Sequence, residues 1–161
     1  MLTSAQAWDI LNRVPDPEIP VISVTELGIV RDVRAAADGV DVVVTPTYSG
    51  CPATEVIARS IREALTAAGA AQVRVTTQLA PAWTTDWIEP AAQEKLRAYG
   101  IAPPGAKLGA EVQPLQFMPR VACPRCGSAD SERLSQFGST ACKALYRCRA
   151  CREPFEYFKP L

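Results

Sequence analysis

Apolar residues recur at helical spacing at the start of the chain, change to strand-like runs, and change back; these switches outline the elements. Ala7, Ile10, Leu11 and Val14 share one face of a helix over residues 4 to 14, with Thr3 or Ser4 as its cap. The PDPEIP stretch cannot extend that helix, because its three prolines remove amide donors and disfavour helix before each ring, so a rigid acidic loop is expected. Ile29 to Arg34 and Val40 to Thr45 are rich in β-branched residues, and Asp38-Gly39 between them predicts a hairpin turn. TPTYSGCP ends the hairpin. From Pro52 to Ala68 the residues Val56, Ile61, Ala64, Leu65 and Ala68 return to helical spacing, with Gly69 as a left-handed stop, and a third strand follows near Val73 to Leu79.

Beyond APAW the pattern predicts a helix from Thr85 to Tyr99 that packs through Trp87, Ala91, Leu96 and Tyr99 and stops at Gly100, with Pro90 complicating its start. Trp83 and Trp87 are expected as core or lid residues ahead of cofactor-stacking groups. Ala102-Pro103-Pro104-Gly105 begins a linker, in which Glu111 to Phe117 could add an edge strand interrupted by Pro114. The expected class is α+β. A small α/β domain over 1–102, with a sheet of three or more strands and flanking helices, is followed by a linker or edge segment over 103–119 and a cysteine-rich ribbon over 120–161.

Composition narrows the chemistry. With 161 residues and 48% hydrophobic content, the chain can bury the core of one ordinary domain plus an appendage. It has no histidine, which excludes a Ser-His-Asp triad, a Cys-His dyad and any imidazole-bound metal within this chain. Met1-Leu2-Thr3-Ser4 does not open a signal sequence, and no apolar run approaches the ~20 residues needed to cross a bilayer; a cytoplasmic protein without membrane partners is expected. In that reducing compartment the six cysteines suit metal ligation and functional thiols better than disulfides. Residues 120 to 161 hold eight Lys/Arg against four Asp/Glu, but with no basic stripe interleaved with aromatics, so nucleic acid is not the expected partner.

The strongest local signal is Cys123-Pro124-Arg125-Cys126 followed by Cys148-Arg149-Ala150-Cys151, with 21 residues between the pairs. Each two-residue spacer lets a short turn aim both sulfurs at one point, and tetrahedral Zn²⁺ accepts four thiolates. The expectation is a structural Cys₄ zinc ribbon, with rubredoxin-like iron as the alternative metal. Four thiolates and one Zn²⁺ would reduce the tail from a formal +4 to about +2. Gly127 after the first pair suits a tight turn around bound sulfur, whereas Arg152 after the second is less accommodating. Cys142 lies about 20 Å from Cys148 if the intervening residues are extended, too far for the same shell. It is expected to pack inside the ribbon or to meet another metal site. A closed shell leaves no open position for reaction, so chemistry has to be sought elsewhere.

Cys51 is the other candidate. With Pro52 as first helical residue, Cys51 becomes the N-cap, its sulfur beside the free amides of Ala53 and Thr54 in a setting that favours thiolate, opposed by Glu55. A small packed thiol is the competing reading. Asp16 and Glu18, stiffened by the proline between them, are candidate metal-facing or partner-facing carboxylates, or simply turn residues; Thr47 could orient the Cys51 loop.

The N-terminal helix, DPEIPVISVTELGIV, the hairpin, TPTYSGCP and the next helix together resemble the small α/β domain of iron-sulfur cluster assembly factors of the SufT and MIP type, over about residues 1 to 100. The resemblance implies roles for Asp16, Glu18, Thr47 and Cys51 around a solvent-facing pocket; Tyr48 departs from relatives that carry a second hydroxyl residue there. LAPAWTTDWI, KLRAYGIAPP, CPRCGS and FGSTACKALYRCRACREPFEYFKP, in that order, resemble the PaaD (PaaJ) family of bacterial phenylacetate degradation over nearly the whole chain. This second resemblance implies an accessory component of the phenylacetyl-CoA ring-epoxidising monooxygenase, one that assembles or repairs a metal or iron-sulfur centre and leaves ring oxidation to its partners.

Three functions follow as expectations. In the first, Cys51 transiently binds iron or an iron-sulfur cluster, a recipient protein or a second protomer completes the shell, and the ribbon grips the recipient; a homodimer is one way to do this. In the second, the zinc-stabilised chain is an adaptor between oxygenase and reductase components. A thiol redox enzyme using Cys51 is the third, weakened by the lack of a resolving cysteine nearby and of a histidine base.

Overall fold

Thr3 starts the first helix by a reciprocal cap: its Oγ1 accepts the Gln6 amide at 3.2 Å while Gln6 Oε1 accepts the Thr3 amide at 2.9 Å. Helix α1 spans Ser4–Leu11 in the computed structural model, which describes residues 1–105 and 120–161. It ends at Leu11, short of residue 14, yet Val14 stays buried, its carbonyl accepting the Val24 amide at 3.0 Å. The described residues form two compact units, Met1–Ala92 and Gln93–Leu161.

In the first unit, β1 (Val30–Ala36) pairs antiparallel with β2 (Gly39–Val44), and α2 (Ala53–Ala67) carries the chain over to β3 (Val73–Thr77), parallel to β2. The sheet order is β1-β2-β3. Val33 of β1 and Val40, Val42 and Val44 of β2 form its buried face; Ile57, Ile61 and Leu65 of α2 and Ala7 and Leu11 of α1 complete the core. The hairpin differs from expectation in one residue. Ala36 pairs with Gly39, so the turn is Ala37-Asp38, and Gly39 is the first residue of β2. Its role is space: a Cβ there would run into the Gln72 carbonyl oxygen, which accepts the Val40 amide at 2.9 Å.

The helix expected from Thr85 to Tyr99 is divided. Thr85–Trp87 makes one 3-10 turn, and α3 begins at Pro90 and runs to Tyr99, as befits a proline whose ring and missing donor suit only a first turn. Thr85, Ile88, Ala92 and Leu96 are buried, while Ala91 and Tyr99 are exposed and Trp87 is half-buried under the Arg31 guanidinium, 3.6 Å from its ring centroid. Trp83 is a core residue. Its indole N–H donates to the Leu27 carbonyl at 3.0 Å.

The second unit is a four-stranded sheet of order β4-β7-β6-β5, built from β4 (Ile101–Ala102), β5 (Ser131–Ser135), β6 (Lys143–Cys148) and β7 (Pro154–Phe158). β5, β6 and β7 are antiparallel neighbours, whereas β4 lies parallel to β7. Ala102, Val121, Cys123, Ala144, Tyr146, Cys148, Phe155 and Tyr157 make its core, with Tyr146 edge-on to Tyr157 at 5.6 Å. Ile101 and Ala102 are bonded into this sheet, and the two compact units divide between Ala92 and Gln93, within α3. The candidate edge strand Glu111 to Phe117 lies outside the described residues. Among the described residues no helix is long and apolar enough to cross a membrane.

Candidate metal centre and the Cys51 loop

Two turns of the same design deliver the four sulfurs. The Cys123 amide donates to the Ser128 carbonyl at 2.9 Å and the Cys148 amide donates to the Glu153 carbonyl at 3.0 Å, so each pair closes over the same length of chain. The residue after each second cysteine is left-handed: Gly127 at φ 75° and Arg152 at φ 66°. A further backbone bond, from the Arg149 amide to the Asp130 carbonyl at 2.8 Å, links the second turn to the start of β5.

Cys123 and Cys151 sulfurs are 3.8 Å apart, those of Cys126 and Cys148 are 3.6 Å apart, and all four lie within 4.8 Å of one another. Four thiolates at ~2.3 Å from a tetrahedral ion would stand about 3.8 Å from one another, so the donor set fits such an ion in both chemistry and spacing. Cys123 and Cys148 are buried; Cys126 and Cys151 are exposed. The site therefore has a dry side against the ribbon core and a wet side. The Cys148 thiol is lowered to about 7, chiefly because the Cys151 amide donates to its sulfur at 3.5 Å. The Cys151 thiol moves the opposite way, to about 11: the Glu153 amide lowers it, but desolvation and the neighbouring sulfurs of Cys148, Cys123 and Cys126 outweigh that donor. Cys142 is outside the cluster, buried with its sulfur 3.0 Å from the Thr140 hydroxyl.

Cys51 stands differently from expectation. Pro52 has helical backbone angles, φ −66° and ψ −22°, and is itself the N-cap of α2, with no side-chain cap bond. The Cys51 carbonyl, not its sulfur, accepts the Thr54 amide at 3.2 Å, and the Cys51 amide donates to the Tyr48 carbonyl at 3.2 Å. Cys51 is half-buried and shares the β2–α2 loop with half-buried Thr47.

Asp16 and Glu18 belong to the loop after α1. Asp16 is buried, and its Oδ1 accepts the amides of Glu18 at 2.9 Å and Ile19 at 2.8 Å, which closes the proline-rich turn; the Glu18 side chain is exposed. Sequence reasoning did not single out Thr45, whose hydroxyl is buried at the root of the Cys51 loop without a hydrogen-bond partner among the described residues. A threonine following the alternating valines of β2 was the available signal.

A family model described as the PaaD zinc beta ribbon domain matches residues 109–159, and one described as an iron-sulfur cluster assembly protein matches residues 4–77. Over 155 residues the chain is 54% identical to an Escherichia coli (strain K12) protein whose name makes it a component of a "Putative 1,2-phenylacetyl-CoA epoxidase", covering 96% of this chain and 91% of that one. It is 35% identical over 88 residues to an "Fe-S protein maturation auxiliary factor" of Porphyromonas gingivalis (strain ATCC BAA-308 / W83), covering 53% of this chain and 83% of that one. Among solved structures, a conserved hypothetical protein from Thermotoga maritima aligns with a TM-score of 0.51 at 29% identity, covering 59% of this chain and 94% of its own. A domain of unknown function from Bacillus anthracis aligns with a TM-score of 0.53 at 24% identity, covering 58% of this chain and 90% of its own, a likeness of fold.

Proposed function

The chain belongs to the PaaD family, and from that premise we propose that it is an accessory maturation factor of a phenylacetyl-CoA epoxidase system, helping to assemble or repair an iron or iron-sulfur centre in an oxygenase or reductase component. The observation that carries this reading is that a likeness to an epoxidase component spans nearly the whole chain while an iron-sulfur assembly model independently matches residues 4–77. The Cys₄ cluster is assigned Zn²⁺, which would brace the ribbon and supply no reaction; Cys123, Cys126, Cys148 and Cys151 hold it. Iron or a cluster is cargo on this reading. Cys51 is its ligand, with Thr47, Asp16 and Glu18 shaping the approach.

The Cys₄ set is the one group of three or more Cys, Asp or Glu side chains among the described residues that could close around an ion. Cys51 therefore needs ligands from a recipient or a second protomer, which suits a transient carrier better than a storage site. The same observation also favours the second reading, an adaptor that holds epoxidase components together without moving metal.

Anaerobic incubation of the protein with purified apo oxygenase and reductase components, followed by iron and sulfide quantification of each, separates the two. Cys51-dependent gain of iron by a component supports maturation. A stable complex with no transfer, unaffected by Cys51→Ser, supports the adaptor and removes the maturation role.

A further inference from the structure

Arg152 is the one non-glycine residue with positive φ among the described residues, at 66°. Side-chain-bearing residues lose roughly 1–2 kcal/mol in that conformation, a cost that the first turn avoids by placing Gly127 there. The shape of the turn is accounted for by the sulfur cluster. The choice of arginine is not.

Charge supplies the missing reason. All four acids of residues 120–161 are engaged: Glu153 with Arg125 at 3.4 Å, Asp130 with Arg149 at 3.9 Å, Glu132 with Arg147 and Arg149, and Glu156 with Lys143 at 2.9 Å. Arg152 is exposed and has neither an ion pair nor a hydrogen bond among the described residues. It follows directly on Cys151, on the wet side of the cluster.

We infer that Arg152, flanked by Arg125 and Arg149 of the two turns, docks the ribbon onto an acidic protein surface. On the reading that the chain serves an epoxidase system, that surface belongs to one of its components. A protein partner fits better than nucleic acid because Arg125 and Arg149 are already half-neutralised by Glu153, Asp130 and Glu132. With Arg125 and Arg149 paired and Arg152 uncommitted, the rim suits a small acidic patch on a protein, whereas a phosphate backbone calls for a run of free cations. The left-handed backbone sets where the Arg152 side chain leaves the turn, next to Cys151 on the exposed side of the cluster.

The test is a binding titration of full-length, metal-loaded protein against each purified epoxidase component at low and high salt, with Arg152→Gly, Arg152→Lys and, as control, Arg59→Ala on the exposed side of α2. Expected are tenfold or greater weakening in Arg152→Gly with thermal stability equal to or above wild type, partial retention in Arg152→Lys, no change in Arg59→Ala, and affinity that falls with salt. Unchanged affinity in Arg152→Gly overturns the docking role alone. Failure of the wild type to bind any component overturns the epoxidase reading and this partner with it. Tighter binding to a single-stranded 20-mer RNA than to any component would replace the protein surface with nucleic acid.

Discussion

Arg152 holds in the second cysteine turn the left-handed backbone that Gly127 holds in the first, φ 66° against 75°. Each lies within a loop closed by a cysteine amide and the carbonyl five residues later, and the Gly127 amide additionally donates to the Cys123 carbonyl at 2.9 Å. They differ in what the side chain adds. Gly127→Ala should destabilise the ribbon by about 1 kcal/mol, and Arg152→Gly should stabilise it by about 0.5–1 kcal/mol, after allowing for the greater freedom of glycine in the unfolded chain. Thermal unfolding of the metal-loaded variants checks both signs.

Metal removal should act on one unit. Trp8, Trp83 and Trp87 all lie in Met1–Ala92, while the buried aromatics Tyr146, Phe155, Tyr157 and Phe158 lie in Gln93–Leu161. A strong chelator is expected to abolish the β signal of the ribbon in far-ultraviolet circular dichroism and leave tryptophan emission unchanged. A concurrent red shift of that emission would show that Met1–Ala92 depends on the ion as well.

Gly39→Ala should be among the costlier single substitutions in the first unit. The new methyl would collide with the Gln72 carbonyl, and moving that carbonyl breaks its bond to the Val40 amide at the entrance to β3. A loss of about 2–4 kcal/mol is expected in urea unfolding followed by tryptophan fluorescence.

Low pH should loosen the ribbon through Glu156. Burial raises its carboxyl, but the Ser139 amide and the buried Lys143 ammonium prevail and hold it below the usual carboxylate range. A depressed carboxyl stabilises the fold fully above its unfolded value of about 4.3, and that contribution disappears as pH falls through the lower folded value. Glu156→Gln should remove this acid sensitivity and cost about 3 kcal/mol at neutral pH, because Lys143, its side chain only 3% exposed, loses its ion-pair partner. Urea unfolding of wild type and variant across pH 3 to 7 tests the sign.

Much of this was legible in the residues because period and spacing are local. Ala7, Leu11, Ile61 and Leu65 fell on buried faces as their helical spacing required, and the paired cysteines met as their two-residue spacers allowed. What escaped was set by neighbours distant in sequence. Asp38-Gly39 looked like a turn dipeptide because nothing local shows Gln72 pressing on Gly39. Leu96 packs as its spacing required, but Trp87, Ala91 and Tyr99 do not: with the helix restarting at Pro90, Ala92 shares its buried face, and Ile88 is buried just before it. Cys51 was expected to cap α2 through sulfur, an arrangement that depended on a backbone angle at Pro52 that composition cannot give. Asp16 could be read as a metal-facing, partner-facing or turn carboxylate, and the amide partners of its Oδ1 become visible only once the proline turn is folded.

The two-residue strand Ile101–Ala102 fixes what a portable ribbon must contain. It covers one edge of β7, yet it precedes residues 109–159, the stretch that matches the ribbon family model. A graft cut to that stretch would carry all four ligands and still present β7 with open amides and carbonyls, an invitation to pair with another copy. Transplanting the metal turns as a well-behaved module therefore means starting upstream of Ile101.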